Sequence, residues 1–309
     1  MGQKTNIGWC DSTVNPTTGC DGCELWKLSP TTGRHGGPCY AGNLHETRLT
    51  KSLPRLYAAD FTEVRTAPGR CQQATGWADL AGLARPDKPW LDGMPRLVFV
   101  GDMGDVLSAA VPFEYLESEV VAAATSTRGR RHLWLVLTKR PARLAEFARW
   151  LASRGTPWPA NVWAGTSITG PASLRRLDEL DRVPAPVAFA IVEPLSAGVS
   201  LAPWLAGRGA SPGRWVIVGG ESSQPGHHAR PFALEWARTL RDEAAEAGVP
   251  YYLKQLGDAP RFNEADIWSG VTDIRQGKAG EDWTRWPEDI RIRQVPRIGA
   301  DAKPLAEAA

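Results

Sequence analysis

The chain has 309 residues, a length that suits two domains or one large α/β barrel. Hydrophobic residues make up 42% and charged residues 23%, a mix that excludes a disordered chain. Thirty-six Lys and Arg against 34 Asp and Glu leave +2, so global charge favours neither a nucleic acid nor a membrane surface as partner.

No apolar run approaches the roughly 18 residues of a membrane span. The opening MGQKTNIGWC lacks the apolar core of an export signal, so a cytoplasmic protein with no membrane partner is expected. Five cysteines are too few, and odd, for a disulfide framework; reduced thiols are expected. Cys10, Cys20, Cys23 and Cys39 cluster near the start, and only Cys71 lies elsewhere. Fourteen Trp outnumber 7 Phe and 5 Tyr, material for a core or a stacking surface.

Residues 1–50 have loop composition, with a short strand expected near Ile7–Val14. Residues 51–95 read as partly helical, broken at Pro54, Pro68, Pro86 and Pro89. Short apolar runs then recur: Arg96–Val100, Leu133–Leu137, Val162–Gly165, Val187–Val192, Trp215–Val218 and Tyr251–Leu253. Runs apolar on both faces are what parallel strands buried on both sides look like. Helical spacing lies between them, as in Leu144, Phe147, Ala148 and Leu151, or Phe232, Trp236, Leu240 and Ala244. The alternation predicts βαβ units and a partial parallel β/α barrel of six to seven strands, with a flat doubly wound sheet as the alternative. The barrel unit spans 1–257, with the cysteine loop at 20–39. Residues 258–309 read as a cap, including Asp282–Ile292, and a tail, DAKPLAEAA.

In such barrels the active site lies at the carboxyl ends of the strands. Those ends carry Asp102, Asp105, Thr138, Lys139, Arg140, Ser167, Glu193, Glu221 and Lys254. The cysteine loop admits two readings. Cys20, Cys23, His35 and Cys39 have zinc-like spacing, with Cys10 as an alternative fourth ligand. Three cysteines alone suit an iron–sulfur cluster with one iron open to a ligand.

The segment Trp9–Cys20, WCDSTVNPTTGC, followed by Cys39-Tyr40-Ala41, resembles a phage-associated family of three-cysteine proteins. The likeness continues through VFVGDMGDV, LVLTKRP, NVWAGTSIT, EPLS, WVIVGGES and PYYLKQLG, up to about Gly257. Val14 stands where that family usually has Trp. The family in turn resembles the radical S-adenosylmethionine superfamily, including its thymine-dimer DNA-repair branch. That superfamily's usual loop is C-x3-C-x2-C, whereas this one is C-x2-C-x15-C.

The resemblance implies a [4Fe–4S] cluster on Cys20, Cys23 and Cys39, S-adenosylmethionine as cofactor, and hydrogen abstraction from a substrate. It tilts the substrate toward a nucleic acid or nucleotide and calls for an electron donor such as flavodoxin or ferredoxin. Asp102 or Asp105 would receive the cofactor ammonium. Lys139 or Arg140 would bind a carboxylate or phosphate, and Ser167 the ribose. Glu193 and Glu221 would reach cofactor or substrate, and Tyr40 would pack on the cluster or adenine. Gly219-Gly220-Glu221 matches a superfamily string but follows a late strand, so its role is not transferred. His227-His228 and the Arg128–Arg131 run read as surface features, and Trp9 and Trp26 as shields or core. Two rival classes remain: a zinc-stabilised nucleic-acid-binding protein without catalysis, and a metal-independent barrel hydrolase using Asp102, Lys139 and Glu193.

Overall fold

The computed structural model describes residues 2–207, 209, 211–264, 266, 280–301 and 303. Seven strands form one parallel sheet: β1 (Ser12–Val14), β2 (Leu97–Val100), β3 (Leu133–Thr138), β4 (Val162–Ser167), β5 (Val187–Val192), β6 (Gly213–Gly219) and β7 (Tyr251–Gln255). Their spatial order is their chain order, and the sheet curls into a half-barrel. The partial-barrel expectation therefore holds. The strands extend past their apolar runs, so Thr138 and Ser167 are last strand residues rather than loop residues.

The helices follow from the same alternation. They are α1 over residues 40–52, α2 (Arg70–Ala74), α3 over residues 113–125, α4 (Pro141–Ser153), α5 (Arg176–Leu180), α6 (Ala202–Ala206) and α7 (Leu234–Glu246). Phe232 precedes α7 instead of lying in it. Residues 51–95 hold less helix than expected: the last two residues of α1, then α2, plus a 3-10 turn at Pro89–Leu91. Glu119, from a π-helical turn inside α3, accepts the backbone N–H groups of Gly69 and Cys71, both at 2.7 Å. It thereby caps the start of α2, which has no side-chain cap of its own.

Alternation along each strand sorts two cores. Val98, Val100, Trp134, Val136, Ala188, Ala190, Val216 and Val218 pack outward under the helices. Leu97, Phe99, Leu133, Leu135, Trp163, Phe189, Trp215 and Tyr252 fill the barrel interior with Trp9. Trp9 lies 4.8 Å from Phe99 and 6.3 Å from Trp215 between ring centroids. A Cβ on Gly165 would sit 2.2 Å from the Phe189 ring, so only glycine leaves room for that ring.

Flanking segments close the open side. The Lys88 ammonium donates to the carbonyls of Thr5, Ile7 and Cys10 at 2.8, 2.8 and 2.6 Å, fixing the N-terminal segment. At the free edge of β7, Leu253 N–H donates to Ile292 and Gln294 N–H to Tyr251. Trp286 and Ile290 enter the outer core and Val295 the inner one, so residues 286–295 share the barrel's own hydrophobic cores. Of the DAKPLAEAA tail, residues 302 and 304–309 lie outside the described residues. Among the described residues no helix is long and apolar enough to cross a membrane.

Candidate functional site

A cavity of about 700 Å³ opens at the carboxyl ends of the strands. Cys20, Cys23, Cys39, Tyr40, Asp102, Asp105, Lys139, Ser167, Glu193 and Glu221 all line it. Residues far apart in sequence therefore meet on one surface. The segment Lys4–Ile7 also lines it, with no pattern in the sequence to mark it.

Two arginines, one just after β3 and one at the start of α5, clamp the cysteine loop. Arg140, after β3, donates to the Gly22 carbonyl at 2.7 Å, pairs with Asp21 and with Asp105 (2.9 Å), and lies 3.9 Å from the Cys20 sulfur. Arg176, on α5, donates to both Glu24 oxygens at 2.8 and 2.6 Å and to the Ser167 carbonyl at 2.9 Å. Burial works against the Glu24 carboxylate, but Arg176 and the Thr169 hydroxyl hold it down to about 2. Beneath the loop, Trp26 packs edge-on to Phe61 at 5.5 Å. Trp26 is thus core to the loop, while Trp9 is both inner core and cavity wall.

Each of the three sulfurs has a backbone N–H neighbour: Gly22 for Cys20, Leu25 for Cys23 at 3.4 Å, and Gly42 for Cys39 at 3.4 Å. Burial pushes the Cys20 thiol up to about 11 and raises that of Cys39. The other candidate ligands lie elsewhere. Cys10 is fully buried in the inner core and burial raises its thiol strongly; Cys71 is buried on the outer side. His35 sits on a two-stranded hairpin, Lys27–Leu28 with His35–Gly36, and does not line the cavity. Among the described residues no three His, Cys, Asp or Glu groups converge on one ion. Closed zinc sites need four such ligands around a single point. Cys20, Cys23 and Cys39 all line the cavity, and each sulfur has a backbone N–H neighbour.

The carboxylates divide by partner. Asp105 is saturated: it accepts from the Thr138 hydroxyl at 2.7 Å, from the Lys139 and Leu107 N–H groups, and from Arg140. Glu193 pairs with Lys254 at 2.7 Å. Glu221 is 3% exposed and receives Arg230 through both its backbone and its side chain, with the His227 ring 3.3 Å away. Burial opposes its charge, yet the Arg230 bonds hold the carboxyl below the usual range. Asp102 differs. It accepts from the Asn15 carboxamide at 2.6 Å and from the Thr13 hydroxyl, pairs with no Lys or Arg among the described residues, and burial raises its carboxyl.

Among the cations, Arg140 is spent on the loop, which removes it as a ligand for a carboxylate or phosphate. Lys139 makes no ion pair among the described residues and stands near Cys39. Ser167 is 2% exposed at the end of β4, and Tyr40, 58% exposed, stands at the rim. In the Arg128–Arg131 run, Arg131 donates to the Trp77 carbonyl at 2.8 Å, so this arginine ties elements together rather than facing solvent.

Residues 4–287 match the model of a family described as "Protein of unknown function (DUF5131)". The chain belongs to that family. Comparison with curated proteins and with solved structures found no match.

Proposed function

We propose that this protein is a radical S-adenosylmethionine enzyme whose [4Fe–4S] cluster is held by Cys20, Cys23 and Cys39. One observation carries the reading. The three thiols share a cavity with Asp102 and Lys139, which stand at the neighbouring ends of β2 and β3 and make no ion pair among the described residues. That pair complements the ammonium and carboxylate of an α-amino acid end beside an open iron. When bound, the cluster would supply one-electron reduction of S-adenosylmethionine, and that cofactor would supply the hydrogen-abstracting chemistry.

The chain's own residues have separable tasks. Asp102 accepts from the methionine ammonium, held in aim by Asn15. Lys139 receives the carboxylate. Ser167 offers a hydroxyl to the ribose, and Tyr40 gives the adenine a flat face at the rim. Asp105 acts through Arg140, which positions Cys20, so it is a positioning residue. The buried walls exclude water from the reacting carbon. A nucleotide or nucleic acid as substrate, and a flavodoxin or ferredoxin as electron source, belong to the same proposal.

The test is anaerobic reconstitution followed by S-adenosylmethionine and a strong reductant. Formation of 5′-deoxyadenosine and methionine supports the reading. A protein that binds a single zinc and leaves S-adenosylmethionine intact refutes it.

A further inference from the structure

We infer that the Glu193–Lys254 pair is a subsite for a neutral ligand bearing a lactam edge, a carbonyl and an N–H side by side on one ring. The inference rests on the radical reading only in calling that ligand the substrate.

Strand alternation turns Glu193 and Lys254 to the inner face, because Val192 and Leu253 before them point outward. β6 runs between their strands, and at that level it carries Gly219. A Cβ there would lie 2.9 Å from the Glu193 carboxyl carbon and push that side chain aside, so Gly219 leaves open the space in which the two side chains meet across β6. The Lys254 nitrogen lies 2.7 and 2.8 Å from the two Glu193 oxygens. Both residues line the cavity and neither has another side-chain partner among the described residues.

Hydrogen-bonding capacity is therefore left over on both. An ammonium has three donors, and a carboxylate accepts at about four positions. The leftover donor and acceptor sit next to each other. Their complement is an acceptor and a donor on one edge, the pattern of a cis amide in a ring. An open-chain trans amide places the two on opposite sides and cannot engage both.

Charge narrows the class further. Lys254 is neutralised by Glu193, and Glu221 on the same wall by Arg230. The Glu193–Lys254 pair itself therefore carries no net charge with which to hold a phosphate, a carboxylate or an amine. Of the cavity's other charged side chains, Asp102 and Lys139 lie at the ends of β2 and β3 beside the cysteines, and Lys4 and Glu281 lie on the flanking segments. Gln255 adds a neutral contact: its nitrogen is spent on the Gly220 carbonyl and Ser222 hydroxyl, and its oxygen accepts nothing among the described residues. A cavity of about 700 Å³ fits small molecules and excludes a stacked duplex, so the lactam ring enters free or unstacked.

The probes are uridine, inosine and guanosine, each set against its N-methylated lactam: 3-methyluridine, 1-methylinosine and 1-methylguanosine. Binding is measured calorimetrically on the full chain as purified, and again after reconstitution with iron, sulfide and S-adenosylmethionine. At least one lactam nucleoside should bind, and its N-methyl counterpart at least tenfold more weakly. Lys254→Met and Glu193→Gln should each weaken binding at least tenfold at unchanged iron content. The methylation comparison uses wild-type protein and stands even if a variant fails to fold. Absence of binding by all three nucleosides in both preparations overturns the inference, as does indifference to N-methylation or to both substitutions. Failure of the radical reading looks different: no iron uptake, with uridine still discriminated from 3-methyluridine.

Discussion

Asp102 and Asp105 stand three residues apart in one loop and have opposite surroundings. Asp105 is enclosed by a hydroxyl, backbone donors and a guanidinium. Asp102 accepts from the Asn15 carboxamide and the Thr13 hydroxyl and pairs with no guanidinium or ammonium side chain among the described residues. Asp102→Asn should therefore weaken S-adenosylmethionine binding about tenfold or more, roughly 1.4 kcal/mol, with iron content unchanged. Asp105→Asn should instead lower thermal stability and loosen iron, because Arg140 loses a buried partner. Titration of the cofactor into both variants separates them, and full affinity in Asp102→Asn together with a loss in Glu221→Gln would reverse the assignment. Cysteines divide in the same way. Cys10→Ala should keep its iron and cost about 1 kcal/mol for a small buried side chain. Cys23→Ala should lose the cluster. Iron counts and melting curves on the two variants decide that contrast.

At the scale of elements, the cysteine loop is held by clamps rather than by regular structure. Glu24 with Arg176 ties it to α5. The Glu24 carboxyl lies at about 2, below its ordinary 4.5, so the clamp's stabilisation is complete above pH 4.5 and fades as pH falls toward 2. The stability difference between wild type and Glu24→Gln should be flat above pH 5, about 1–2 kcal/mol after solvent screening, and shrink below pH 4.5. Denaturant midpoints across that range measure it; a difference independent of pH down to 3 would show that the clamp carries no charge-based stability. On the sheet, Gly165→Ala should destabilise by about 1–3 kcal/mol by forcing the Phe189 ring aside, measured by thermal melting.

The strands were legible in the sequence because both their faces are buried, which leaves unbroken apolar runs closed by polar residues. Residues 51–95 were not, because much of that stretch is held by side chains from afar, as with Glu119 on Gly69 and Cys71. The polar strand ends were legible as a set. Their pairings were not: Lys254 reaches Glu193 across 61 positions and Arg176 reaches Glu24 across 152, separations with no local signature. Lys139 and Arg140 show the consequence. They look alike as neighbours in sequence, yet one lines the cavity with no ion pair among the described residues and the other is locked to the loop.

For the whole molecule, the barrel and the C-terminal segment share one body. Trp286 is fully buried in the outer core, and the Trp215 indole donates to the Gln294 carbonyl at 2.9 Å. Truncation after Gly257 should therefore abolish cooperative folding instead of leaving a stable barrel, as a calorimetric scan would report. That shared body also holds the cysteine loop against the strand ends, which is what places three thiols beside Asp102 and Lys139. The central claim is the cluster. The most direct measurement is anaerobic reconstitution with iron and sulfide quantification and electron paramagnetic resonance of the reduced protein, with and without S-adenosylmethionine. The account predicts about four irons and four sulfides per chain, as a [4Fe–4S] cluster requires, and a signal that changes when the cofactor is added. A colourless protein holding one tight zinc, or a cluster signal indifferent to the cofactor, would contradict it.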